Sequence, residues 1–208
     1  MDFLLSAIIG YLIGSFPTAY LILKRKNIDI TKAGSGNVGA MNSFEVTNSK
    51  TIGIIVLIID LSKGILSVIL VALIYPDNFV FQGMSLIFAV FSHCFNPWIN
   101  FNGGRGLATT AGGIIILIYP LLFVWLILWA ITYALKKNIH FSNISATILS
   151  LVLVFNNSEL SVKYCNPTPF NSESVVFIIT MGFLIILIKH IEPLKEIIED
   201  LKKKGIKR

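Results

Sequence analysis

A chain of 208 residues that is 55% hydrophobic and only 13% charged, with a mean hydropathy of +0.79, carries more apolar side chain than one water-surrounded core can bury, which excludes an ordinary soluble domain. Its net charge of +6 reads as membrane orientation and attraction for anionic lipid or an anionic substrate, and nucleic acid is not an expected partner. The two cysteines and three histidines show no metal or redox spacing, so neither a metal site nor a cofactor is expected.

Apolar runs at about 3–23, 51–75, 79–99, 107–119, 121–135, 144–156 and 174–190 are the predicted elements. Backbone in hydrocarbon must satisfy its own hydrogen bonds, and no run alternates as a barrel strand would. The expected class is therefore all-α, a polytopic membrane bundle of about seven transmembrane helices. Six is the alternative, with 107–135 as one helix broken at Pro120. The first run has no basic leader and no small-x-small cleavage site, and Lys24-Arg25-Lys26 follow it, so it reads as a retained helix. Placing those cations in the cytoplasm sets the N-terminus outside and the C-terminus inside. Of the 17 cations, only Lys163 then falls outside and Lys63 within a span. Residues 1–208 read as a single membrane-embedded domain without linker or fixed-period repeat.

The first inner segment, 24–50, contains Gly34-Ser35-Gly36-Asn37-Val38-Gly39-Ala40-Met41-Asn42. Its glycines remove side chains that would hold a ligand off the backbone, and such a loop can turn several N–H groups toward one anion. Ser35, Asn37, Asn42 and Ser43 add neutral donors. In the next span, Asp60-Leu61-Ser62-Lys63-Gly64 sets acid and base three residues apart. Each charge alone at mid-membrane costs about 2.5–3.5 kcal/mol on insertion scales, so a structural ion pair and a catalytic role stay equally open. Gly64 offers a small surface to another helix.

The second inner loop, Asn102-Gly103-Gly104-Arg105-Gly106-Leu107-Ala108-Thr109-Thr110, surrounds one cation with glycines and then enters an apolar helix whose dipole points its positive end at the same region. Taken together on one face, the two glycine loops describe a phosphate site. Neither has the lysine of a Walker loop nor the strands of a dinucleotide fold, so nucleotides are not expected. The outer loop 157–173 reads as a solvated connector, and its Cys165 lies on the opposite face from Cys94, so no disulfide is expected. His93, His140 and His190 are each more often interfacial or hydrogen-bonded side chains than bases. Trp98 reads as an interfacial anchor, and Leu194, Ile197, Ile198 and Leu201 recur at helical spacing on a tail expected to lie on the inner membrane surface.

Over nearly its whole length the sequence resembles the bacterial integral-membrane, acyl-phosphate-dependent glycerol-3-phosphate acyltransferases, the PlsY type. The resemblance runs through Gly14-Ser15-Phe16-Pro17 with Tyr20-Leu21, the 34–42 loop, Asp60 to Gly64, His93, Phe101 to Thr109, Phe141 to Ser145, and Lys189-His190-Ile191-Glu192. It implies transfer of a fatty acyl group from acyl phosphate to the 1-hydroxyl of glycerol 3-phosphate, giving lysophosphatidic acid and phosphate. The implied setting is a bacterial inner membrane with the site facing the cytoplasm, and the enzyme that forms acyl phosphate is a further implied partner beside membrane lipid. The implied catalytic residues are Ser35, Arg105 and His190. The implied substrate contacts are Gly34, Gly36, Asn37, Gly39, Asn42, Lys63, Gly103, Gly104, Gly106, Thr109, Ser142 and Glu192.

An acyl phosphate is already an activated anhydride, so positioning and charge neutralisation can suffice without an enzyme nucleophile. His190 stays open as a base, a phosphate donor or a loop fastener. No histidine is followed five positions on by aspartate, which excludes the His-x4-Asp mechanism of the other glycerolipid acyltransferases. The chain departs from the family pattern at Glu45, where an arginine is usual, at Pro193 for asparagine, at Met41 for threonine and at Arg105 for lysine. Glu45 and Pro193 give the alternative expectation of a catalytically weakened paralogue that binds a phospholipid precursor or a partner enzyme.

Overall fold

The computed structural model describes residues 1–205, which are helical or looped and contain no strand. Lys207 and Arg208, counted above among the inner cations, lie outside the described residues, as do the side chains of Asp200, Leu201 and Lys204. The first apolar run is α1 (Asp2–Gly14) and α2 (Thr18–Lys24), parted at Pro17, whose ring and missing N–H cannot continue the ladder. A short helix, α3 (Ala40–Thr47), precedes α4 (Lys50–Ile74), which is capped by the Ser49 hydroxyl accepting from the Ile52 N–H at 3.4 Å. Asn78 and Asn138 cap α5 (Phe79–Cys94) and α8 (Ile139–Asn156) in the same way. Between these two lie α6 (Leu107–Leu117) and α7 (Tyr119–Lys136); α9 (Ser158–Val162), α10 (Ser172–Lys189) and α11 (Ile191–Gly205) complete the chain.

Among the described residues, six helical segments are long and apolar enough to cross a membrane. The seventh predicted run, α6, has 11 residues and rises only about 16 Å, about half the hydrocarbon thickness. It does not continue into α7: the chain breaks at Ile118, and Pro120 falls in the first turn of α7, where its missing N–H costs nothing. The loops fold inward to meet α6 at both ends. At one end Gly103 and Gly104 are buried against His93, and at the other the Asn166 N–H donates to the Leu117 carbonyl at 2.9 Å. Irregular backbone is tolerated there because protein covers it.

Glycines set the helix crossings. Gly10 and Gly14 of α1 lie on the backbone of Ser85 and Ala89 in α5, while Gly64 of α4 lies on Thr109 and Gly112 of α6 on Leu61. Lipid supplies little hydrophobic drive between helices, so close backbone approach and dispersion hold such pairs. The main core, with Val90, Ile114, Leu117, Phe183 and Ile186, fills the space among α5, α6 and α10; a smaller one, with Leu23, Ile30, Val38 and Val56, lies beneath the first inner loop. Apolar residues such as Leu73, Ile127 and Leu135 remain exposed, and α7 buries only Leu121, as suits lipid-facing surface.

The 157–173 segment is more than a solvated connector. It forms α9, buries Cys165, and is tied to α10 where the Ser172 hydroxyl donates to Glu159 at 2.8 Å. Cys94 and Cys165 are both free thiols. Trp98 is largely exposed, with its indole N–H donating to Ser15 at 3.2 Å.

Candidate active site

The first glycine loop is built around Asn42. This buried side chain accepts from the Ser35 N–H at 3.0 Å and donates to the carbonyls of Ala33 at 3.0 Å and Asn37 at 2.9 Å. It binds the loop to itself. Gly34 and Gly36 sit at φ +58° and +69°, which an L side chain resists, and a Cβ on Gly34 would strike the Asn42 amide. The backbone N–H groups expected to face an anion are largely occupied. Besides Ser35, those of Gly36, Val38 and Gly39 donate to Ala33, Gly103 and Asn37 carbonyls. What the loop offers outward is side chain: the Ser35 hydroxyl and the Asn37 amide make no hydrogen bond within the described residues and both line a cavity.

The second loop docks on the first through Val38 N–H to Gly103 O at 3.3 Å, and on α5 through Gly104 N–H to His93 O at 3.1 Å. Any side chain at Gly103 or Gly104 would collide with the His93 carbonyl or ring. His93 in turn has Nδ1 3.8 Å from Asp60, whose carboxylate accepts from Lys63 Nζ at 2.6 Å; all three are buried. The acid and base read from spacing thus form an ion pair that stands behind the arginine loop. Arg105 itself is half-buried, with Nη1 3.3 Å from His140 Nδ1 and 3.5 Å from its Nε2. Burial draws the guanidinium below its ordinary value while Glu196, Glu45 and Glu192 act the other way, and it stays charged.

Two cavities meet at this arginine. One, of about 520 Å³, is polar and bounded by Ser35, Asn37, Arg105, Lys189, Glu192 and Lys195. The other, of about 460 Å³, has a polar head at Asn37, Asp60, Arg105 and His140 and apolar walls from Leu57, Trp125 and Trp129. Asn37 and Arg105 belong to both. A narrow apolar extension of about 90 Å³, between Leu107, Trp125 and Phe183, continues the second. A polar chamber and an apolar groove thus share one cation and one amide.

The remaining predicted residues divide around this centre. Gly36 and Gly103 line the polar cavity and Gly39 and Gly106 the groove. Lys63 is held in its ion pair, Thr109 is buried where α6 crosses α4, and the buried Ser142 hydroxyl donates to Asn138 O at 2.8 Å. His190 is 1% exposed with both ring nitrogens engaged: Nδ1–H donates to Ile186 O at 2.8 Å and Nε2 receives the Asn143 amide at 3.4 Å. Burial pushes its pKa down to about 4, the Ile186 carbonyl opposes this, and Arg105 and His140 add to it. The geometry is that of a fastener joining α8 to the start of α11. Glu45 is exposed on α3, and Pro193 is buried in the first turn of α11, where a backbone N–H would have no helical partner.

Asn143, Trp129, Lys189 and Lys195 line the cavities without having been singled out as site residues, and Asp60, read as half of a structural or catalytic pair, lines the groove with them. The tertiary partners decide their placement: Trp129 Nε1–H donates to Asn143 Oδ1 at 2.7 Å, and Lys189 Nζ lies 5.2 Å over the Phe95 ring. The sequence signals for this group were the Asp60–Lys63 spacing, the inner-side position of the lysines and the resemblance over Phe141 to Ser145 and Lys189 to Glu192; Trp129 had none.

Residues 4–200 match the family model described as glycerol-3-phosphate acyltransferase. A glycerol-3-phosphate acyltransferase of Ehrlichia canis is 33% identical over 95% of this chain and 95% of that protein, and one of Helicobacter acinonychis is 32% identical over 95% and 92%. The crystal structure of PlsY, an integral membrane glycerol 3-phosphate acyltransferase, in its glycerol 3-phosphate form superposes with a TM-score of 0.81 at 23% identity, covering 96% of this chain and 94% of that one. Its lysophosphatidic acid form gives 0.79.

Proposed function

The chain belongs to the glycerol-3-phosphate acyltransferase family, and on that premise we propose that it moves a fatty acyl group from acyl phosphate to the 1-hydroxyl of glycerol 3-phosphate. The products are lysophosphatidic acid and inorganic phosphate, the first step of phospholipid synthesis. The reaction takes place at the cytoplasmic face of a bacterial inner membrane, with the single domain 1–208 holding both substrates and drawing on a neighbouring enzyme for the acyl phosphate.

The observation that carries this reading is the common wall of the two cavities. Glycerol 3-phosphate fits the polar chamber, where Arg105, Lys189 and Lys195 supply charge and Ser35 and Asn37 supply neutral donors. The acyl tail fits the Trp-lined groove, which keeps it beside lipid and brings its anhydride head to Asn37 and Arg105. The hydroxyl oxygen then bonds to the acyl carbon as the bond from that carbon to the phosphate oxygen breaks. The phosphate departs with the electron pair and takes up the hydroxyl proton, and Arg105 stabilises the charge that moves onto it. No enzyme nucleophile is needed because the donor is already activated, and His190, enclosed with both nitrogens occupied, serves to hold the loops.

The departures fit activity. Glu45 leaves Arg105 as a cation in both cavities, and Pro193 occupies a turn position that needs no amide N–H. Inner-membrane vesicles containing the protein, supplied with acyl phosphate and glycerol 3-phosphate, are expected to form lysophosphatidate. Product no higher than in vesicles lacking the protein rejects the reading.

A further inference from the structure

Two of the three histidines are committed to the framework, His190 by two hydrogen bonds and His93 by Asp60 on one side and Gly104 on the other. His140 is different. It lines the groove beside Arg105, and its ring nitrogens have no partner among the described residues other than that guanidinium. The two distances, 3.3 and 3.5 Å, are nearly equal. A hydrogen bond in the ring plane to one imidazole nitrogen leaves the other on the far side of the ring, well outside contact. Near-equal distances therefore place Nη1 above the ring face, a cation set against a π system.

We propose that His140 is a positioning residue that holds Arg105 at the wall between the two cavities by presenting the face of a neutral imidazole, so that phosphate binding weakens when His140 gains a proton. The inference rests on Arg105 being the phosphate partner described above. His140 stands in the first turn of α8, whose dipole is positive at that end. It faces Arg105 from the glycine loop and the His190 ring at 6.3 Å from the end of α10. Glu45 of α3 and Glu196 of α11 contribute opposing charge, and across the groove lie His93 of α5 and Asp60 of α4, the latter already paired with Lys63. Protonation sets a second cation against the first, and the contact that fixed Arg105 becomes repulsive. Acidification that protonates His140 brings this about.

The test measures glycerol 3-phosphate affinity by calorimetry on the full chain in detergent, and turnover in vesicles, at about pH 7.5 and about pH 5.5. Wild type is compared with His140→Phe, which keeps a ring face that cannot titrate, and with His140→Ala. Expected is that His140→Phe binds within about threefold of wild type at the higher pH but loses less affinity in acid, while His140→Ala weakens binding about 5- to 30-fold at both and raises KM more than it lowers kcat. Titration of the ligand's own phosphate is common to all three proteins and cancels in the comparison. Equal acid sensitivity of wild type and His140→Phe, or wild-type affinity in His140→Ala, overturns the inference. So does a His140→Phe protein that binds but does not turn over, since that outcome makes His140 a proton-transfer group. A wild type that shows the predicted binding but yields no product upholds the inference and overturns the proposed reaction alone; one that binds no glycerol 3-phosphate overturns both.

Discussion

Arg105 lies in the loop from α5 to α6 and is, among the described residues, the one cation shared by the polar chamber and the apolar groove, and three glutamates stand within reach of its charge. Removing it as Arg105→Ala is expected to lower kcat/KM about 10- to 100-fold, the worth of one charge-assisted bond. Glu45→Arg removes one of the opposing acids and adds a cation, so KM for glycerol 3-phosphate should fall; a rise places Glu45 away from the ligand. His190 makes a different kind of prediction. Its folded pKa is depressed to about 4 from an ordinary value of about 6.5, so between those values the unfolded chain binds more protons than the folded one. The stability associated with neutral His190 is therefore complete above about pH 6.5 and is lost as pH falls toward 4. Thermal unfolding in detergent should show the melting temperature dropping across that window, with a shallower slope for His190→Gln.

At the scale of elements, glycines divide into those that touch and those that do not. Gly64 meets the Thr109 carbonyl, so α4 and α6 cross with their backbones in contact, and α6 begins directly after the arginine loop. Gly64→Leu must push α6 away, and both melting temperature and turnover should fall together. Gly182 of α10 is buried with nothing within 4 Å of where a Cβ would stand. Gly182→Ala should leave turnover in place and raise stability by about 0.5–1 kcal/mol through helix propensity, measured by thermal unfolding. The Asp60–Lys63 pair acts at this scale as well: two buried charges on one helix neutralise each other and back the His93 ring on which Gly104 rests.

For the whole molecule, the inner segments converge at one end of the bundle, where Val38 bonds Gly103, Arg105 meets His140, and His140 packs on His190. In the orientation proposed from the positive-inside pattern, that end faces the cytoplasm. Lys26→Cys and Thr168→Cys, both at exposed positions on opposite ends, test the assignment with a membrane-impermeant maleimide. Thr168→Cys should label in intact cells and Lys26→Cys only after permeabilisation; the reverse pattern inverts the topology.

Hydropathy and charge in the sequence alone determined a helical membrane bundle, because backbone in lipid has few ways to satisfy itself and cations have a preferred side. The order and spacing of Gly34 to Asn42 and Asn102 to Thr109 marked the two loops that the fold brings together as a candidate phosphate site. Tertiary structure alone decided which of those groups line the cavities. Asn42 and His190 have the chemistry of binding residues, yet each spends its hydrogen bonds on neighbours that only folding supplies. Asn37 and Arg105 keep theirs for the cavities, and α6 is short because buried loops reach in to meet it. A residue's type fixes what bonds it can make, but the distances of the folded chain fix which of them are already taken.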